Sequence, residues 1–480
     1  MFPSTGEVVA RFLRSNGYDK TLAAFITEAG LPPDAGTTSK HDSITIEKVL
    51  EEKQAFDLVL NFEKVGLEDG NRGWNALLPP SLPSIVDVLP TSSNLLNVSI
   101  ESLSSSNGED SHRLIYSSAD RQFCSMQTTS PKGHLELDKT YDQHQDSPVL
   151  AWVHLDHNLL LTGSMSGKLR LFDLEKAEVI HHRQDHTKYV VRVVKWKAFH
   201  GTYIATAGWD CKINLYHTQG PTYSIGAPIA TLTVTSVPET ILFMQHPDSS
   251  QPILLLTRRN STSIFYYAVP DTTSRGTEES IKSMELLGRQ NLAPHSNAWV
   301  AFTPACIAVS PRDPSIVAVA TSQEPHMKLM IVRLLIPPLD KNVITSQEPT
   351  QASQARTELL VADREEAAIM ISCNTMASQT AYSTPILVWR PDGSGVWVNS
   401  DDGVIRGVDS SSGKVVAQLK GHTSGTRIRC LWAGYVNPTR NDNDRTEWLV
   451  SGGFDQKLII WYPDERKSGR DYPNDERLSS

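Results

Sequence analysis

A chain of 480 residues with 39 % hydrophobic and 21 % charged residues has a soluble globular composition and is too long for one compact core of ordinary size. Several domains or one repeat array are expected. Its formal net charge of −9, with no long Lys/Arg run, argues against nucleic acid or an anionic membrane as the main partner. No apolar run approaches the roughly 18 residues needed to span a bilayer.

The first residues, MFPSTGEVVARF, have no apolar stretch behind a basic start, so no secretory signal is read there. The five cysteines are far apart and form no CxxC, which suits reduced, mostly buried thiols and a cytoplasmic or nuclear location. Residues Ser4 to Leu31 read as two helices. Ser4 and Glu7 form a capping box, Val8, Val9, Phe12 and Leu13 share one face, and Asn16-Gly17 stops the first helix. Leu22, Phe25 and Ile26 give the second helix its apolar face, and Gly30 ends it. Two helices this short cannot bury such faces alone.

On Gly17-Tyr18, Thr21, Ala23, Phe25 and Glu28 the segment, taken as residues 1–35, resembles the LisH dimerisation motif. The resemblance implies a homodimer built as a four-helix bundle, with Val9, Phe12, Leu13, Tyr18, Leu22 and Phe25 at the interface. A third helix is predicted within 36–65, and a Gly/Pro linker over 66–81.

From about residue 82 to 465 the chain reads as short strands. Inner strands are predicted at Asn97–Glu101, Val149–Leu155, Val190–Lys197, Thr240–His246, Cys306–Ser310, Pro385–Arg390 and Ile428–Trp432. The skeleton of SGGFDQKLIIW, Ser451 to Trp461, recurs in TAGWDCKINLY, Thr206 to Tyr216, and more weakly around Ser166, Asp402 and Asp120. Strand units repeating at intervals of roughly 40 residues or more are the signature of a β-propeller. Upstream of the two best copies stand His186 and His422. A turn carboxylate, an imidazole, a hydroxyl and an aromatic N–H or O–H can satisfy one another in a closed network. Two such tetrads are read: His186, Thr206, Asp210 and Tyr216; and His422, Ser451, Asp455 and Trp461.

On these residues the chain resembles the WD-repeat family over 147–218 and 385–464. The expected fold is therefore mainly β: a single seven-bladed WD-repeat-type propeller preceded by a small helical LisH segment. Ser84–Leu89 is expected to supply the missing outer strand of the last blade, with insertions near Leu339–Arg356 and Arg364–Ser383 and a disordered tail over 466–480.

No nucleophile elbow, phosphate loop or HExxH is present. The cluster His181, His182 and His186 is read as structural rather than as a metal site, and the Arg258-Arg259 pair as solvated surface. No cofactor, metal or catalytic residue is assigned. The position before each turn Asp holds Met165, Trp209, Asp401 and Phe454. It projects onto the usual peptide-docking face of such propellers, where a Trp or Phe is costly unless a partner or the neighbouring loops cover it. Asp401 is expected to give this face a negative end that favours a partner Lys or Arg. The leading function is a self-associating, non-enzymatic scaffold for protein or peptide partners. The alternative is a ubiquitin-ligase substrate receptor or subunit, although the Arg of the Trp-Asp-x-Arg box is missing after Phe172-Asp173 and Val408-Asp409.

Overall fold

Runs of alternating apolar and polar residues separated by tight turns form seven four-stranded antiparallel sheets in the computed structural model. It describes residues 5–37, 46, 78–87, 89–104, 110–128, 135–141, 146–156, 158–219, 224–249, 251–270, 283–295, 302–339, 351–436 and 445–464. The chain divides into two units, Met1–Glu68 and Asp69–Ser480.

In the first unit, α1 (Thr5–Ser15) and α2 (Asp19–Glu28) form the expected helix pair. Gly17 takes a φ of 72°, which lets the Tyr18 N–H reach back to the Leu13 carbonyl at 2.9 Å and closes α1. Ala10, Leu22 and Ala35 form the small buried core, with Leu13, Phe25, Ile26 and Leu31 packed against it. Leu22 is buried within its own helix pair. Val9 and Phe12 are half-buried, while Tyr18 is exposed with its ring 6.4 Å from that of Phe12. Ser4, the third helix apart from Ile46, most of the linker and the tail lie outside the described residues.

The second unit is a seven-bladed propeller. The inner strands run Leu95–Ser104, Val149–His154, Val190–Ala198, Pro238–Gln245, Thr303–Val309, Leu387–Trp389 and Ile428–Val436. All seven coincide with the predicted ones within a few residues. Adjacent blades bury one another's faces: Leu95, Val98 and Ile100 of blade one pack with Cys430, Trp448, Val450 and Leu458 of blade seven, which closes the ring.

The latch exists, displaced toward the N-terminus. Pro80–Ile85 pairs antiparallel with Leu458–Pro463, with Leu82 opposite Tyr462 and Ile85 opposite Ile459, and Val86 N–H extends the pairing to the Leu458 carbonyl. Pro80 and Pro83 have no N–H to donate, and an outermost strand tolerates that. The predicted insertion over Arg364–Ser383 is corrected. α3 (Gln351–Ala367) leads directly into Ile369–Ser378, which is the outer strand of blade five. Cys373, Thr375 and Ala377 alternate inward along it. Glu365 of α3 accepts the Asn291 N–H at 2.7 Å and so ties the helix to blade four.

The tetrad of blade seven is complete. Trp461 Nε1 donates to Ser451 Oγ at 2.9 Å, Ser451 lies 2.8 Å from His422 Nε2, and His422 Nδ1 lies 2.9 Å from Asp455 Oδ1. Donor counting assigns the proton to Nδ1, so that Nε2 accepts from the hydroxyl. Burial raises the affinity of the Asp455 carboxyl for its proton, but the His422 hydrogen bond and the Thr423 N–H outweigh it and bring the pKa down to about 2. A Cβ on Gly453 would stand 2.6 Å from Asp455 Oδ1, so the turn needs glycine there.

Blade three repeats the pattern. His186 Nδ1 meets Asp210 at 3.0 Å and Nε2 meets Thr206 at 2.8 Å. The Tyr216 hydroxyl donates to Asp185 at 3.0 Å, and Arg183 pairs with the same carboxylate at 2.6 Å, enlarging the network beyond the predicted four. Elsewhere the slot is filled locally. Asp120 accepts from Ser118 at 2.5 Å, Ser166 meets Ser164 at 2.9 Å, and Asp402 accepts from Ser400 and pairs with Arg406 at 2.7 Å. The residue after this slot is left-handed in five blades, at Arg121, Gly167, Cys211, Gly403 and Gln456.

The Asp455 side chain is 3 % exposed and that of Asp402 is 29 % exposed. Asp455→Ala strands a buried imidazole and hydroxyl and is expected to cost roughly 1–3 kcal/mol. Asp402→Ala removes a partly solvated ion pair worth up to about 1 kcal/mol. Thermal melts of the two variants should show the larger drop for Asp455→Ala, and equal drops would refute the ranking.

Candidate protein-docking face

One hydrogen bond recurs around the ring and sets the geometry of this face. The backbone N–H of the residue before the turn slot donates to the carbonyl of the residue just before the inner strand. Ala119 reaches Asn94, Met165 reaches Pro148, Trp209 reaches Tyr189, Arg259 reaches Val237 and Phe454 reaches Arg427, at 2.8 to 2.9 Å. The side chain at that position thus leaves these five blades from the same place, beside the residue that enters the inner strand; in blade six the Asp401 N–H instead reaches the Ser378 carbonyl of blade five. In blades three and seven the tetrad holds the following Asp, so the direction of Trp209 and Phe454 is pinned from both sides.

Trp209 is 38 % exposed and Phe454 36 %. Tyr189 lies 5.3 Å from Trp209, ring to ring, and the Arg259 guanidinium stands 4.9 Å from the Trp209 ring centre. Arg427 stands 5.7 Å from the ring of Phe454. Both rings are thus partly covered by neighbours and partly exposed. Met165 is half-buried on blade two.

Asp401 is on the same face, but it is not a free charge. Arg427 Nε lies 3.1 Å from its carboxylate, Ser383 donates to it at 2.5 Å, and only 11 % of the side chain is exposed. The expected negative end is neutralised, because the residue entering blade seven is an arginine that reaches back to blade six. Arg259 is exposed, as its reading as solvated surface expects, and in addition pairs with Glu239 and lies on Trp209. Arg258 stands 4.8 Å from the centre of the Phe265 ring and donates to Ser236 at 3.0 Å. Tyr189, Arg259 and Arg427 are the residues that sequence reasoning missed. Asking which residue immediately precedes each inner strand would have found Tyr189 and Arg427.

Six inner strands carry a bulge near their entry, at Leu96, Leu150, Val191, Glu239, Ala305 and Arg429. A bulged residue leaves the ladder and its side chain is re-aimed; here the shared register puts the six at one level of the central channel. His186 is held by Asp210 and Thr206 as described, and among the described residues no group of three or more His, Cys, Asp or Glu side chains is placed to hold a metal ion.

No curated protein matches the chain. Among solved structures it is similar to the crystal structure of the computationally designed Ika8 protein, with 13 % identity and a TM-score of 0.44 over 80 % of this chain and 100 % of that one. A family model described as UCP007778, beta-propeller domain, matches residues 90–462. Another, described as UCP007778, LisH domain, matches residues 4–33. The helix pair and the seven-bladed ring are thus the two domains of one known architecture, and the chain belongs to the UCP007778 family.

Proposed function

We propose that the protein is a self-associating, non-enzymatic adaptor that docks protein or peptide partners on the propeller face carrying Trp209, Phe454 and Met165. The observation that carries this reading is the pair of half-exposed aromatic rings on turns fixed by buried networks. A large side chain that is already immobile loses little entropy when a partner covers it. Tyr189 and Arg259 extend the Trp209 surface to blade four, and Met165 continues it toward blade two with a side chain that adapts to irregular ligands. The LisH helices supply self-association, and the site of action is the cytoplasm or nucleus.

Self-association rests on the surface that the helix pair leaves open: Tyr18 exposed, with Val9 and Phe12 half-buried beside it. Covering such side chains across a dyad contributes on the order of 1.5–3 kcal/mol for each one fully buried. Light scattering of the full-length chain should give a dimer or larger species at micromolar concentration, and Phe12→Glu combined with Tyr18→Glu should give a monomer. A monomeric wild type, or a variant with unchanged mass, contradicts this assignment.

The docking face has its own test. Trp209→Ala together with Phe454→Ala, checked for an unchanged melting curve, is compared with wild type by affinity purification and mass spectrometry. Loss of partners is the expected outcome. A folded double variant that keeps every partner places the surface elsewhere, and α3, with Leu359, Leu360 and Val361 exposed, becomes the next region to examine.

A further inference from the structure

The bulge level of the channel is chemically lopsided. Leu96, Leu150, Val191 and Ala305 are apolar, and the two charged members are Glu239 on blade four and Arg429 on blade seven. The residue after the bulge leans toward the next blade: Asn97 donates to the Leu150 carbonyl at 3.2 Å and Thr240 to the Ala305 carbonyl at 3.0 Å. Arg192 occupies that register on blade three, and Glu239 stands at the bulge that opens the neighbouring blade four. Arg192 and Glu239 both act electrostatically on Arg429, and burial followed by the repulsion of Arg192 pushes the Arg429 guanidinium below its ordinary value.

The charges do not balance. Glu239 is already taken by Arg259, and Asp401 by Arg427. Among the described residues, neither the Arg192 nor the Arg429 side chain has a hydrogen-bond or ion-pair partner. Both are half-buried, and each guanidinium carries five N–H donors in a planar fork suited to a carboxylate. These two arginines lie one level below the face on which Trp209 and Phe454 stand, on the same two blades.

We infer that the channel mouth between blades three, four and seven receives an acidic side chain, Asp or Glu, of the docked partner peptide, held by Arg192 and Arg429 while Trp209 and Phe454 take flanking apolar residues. The inference rests on the docking face proposed above and names its partner's chemistry. It reverses the sign expected from Asp401 alone. The aromatic rings supply contact area, and the carboxylate fixes the register of the peptide across the channel.

The test uses full-length protein and a random 12-residue display library. Wild type should enrich peptides with Asp or Glu at a fixed position near an apolar or aromatic residue. A synthetic peptide of the enriched sequence should bind about tenfold or more tightly than its Glu→Gln or Asp→Asn counterpart. Arg192→Gln and Arg429→Gln, each checked by melting, should erase that difference, whereas Trp209→Ala should weaken both peptides alike. Enriched peptides without an acidic position, or an acidic preference that survives both arginine variants, overturn the inference and leave the docking face standing. No enrichment above the naive library overturns the docking face, and the inference falls with it.

Discussion

A hydrogen bond between a turn carboxylate and an imidazole one loop earlier holds the informative part of this molecule in place. In blade seven His422 couples Asp455 to Ser451 and, through it, to Trp461. In blade three His186 does the same for Asp210 and Thr206, with Tyr216 reaching Asp185. The loop entering the blade, the turn between its middle strands and the third strand become one unit with its buried polar atoms paired. The side chain before each Asp inherits that fixity. The exposed rings are thus a by-product of solving a burial problem: the turn needs its carboxylate, and the neighbouring position is free to carry an aromatic side chain.

The ring itself is held by a different device. Blade seven has only three strands from its own stretch of chain, and Pro80–Ile85 supplies the outer one. An open edge would be a template for aggregation. Closure also makes the first and last blades share a core, with Leu95 and Val98 against Val450 and Leu458. Because the blades are wedged together, the inner strands start at a common level, and their bulges place Arg429 and Glu239 around one space. Rigid closure brings residues nearly two hundred positions apart to one level of the channel.

Much of this could be read from the chain. Inner strands and tetrads were legible because they combine a period-two apolar pattern with invariable spacing between hydroxyl, Asp and aromatic. Illegible elements broke one of those rules. Ile369–Ser378 alternates, but its inward positions include Cys373 and Thr375, so it looks polar. The latch begins with Pro80 and Pro83, residues that argue against a strand unless it lies at an edge. Leu22 belongs to the helix pair's own core because Ala35 and Gly36, beyond α2, fold back on Ala10. The charge of the face was misjudged because the partner of Asp401, Arg427, is near in space and 26 positions along the chain, with no spacing rule to connect them.

The central claim is that blades three and seven present their aromatic residues on turns locked by buried networks. Native-state amide hydrogen exchange of the Thr187 and Thr423 N–H groups, which donate to Asp210 and Asp455 at 2.9 and 2.8 Å, measures that locking directly. The account predicts that both exchange as slowly as strand amides of the same blades, and far more slowly than the Asp120 N–H of blade one, which donates to the Ser93 hydroxyl at 3.2 Å rather than to a carboxylate. Exchange of Thr187 and Thr423 at the rate of the blade-one turn would contradict it.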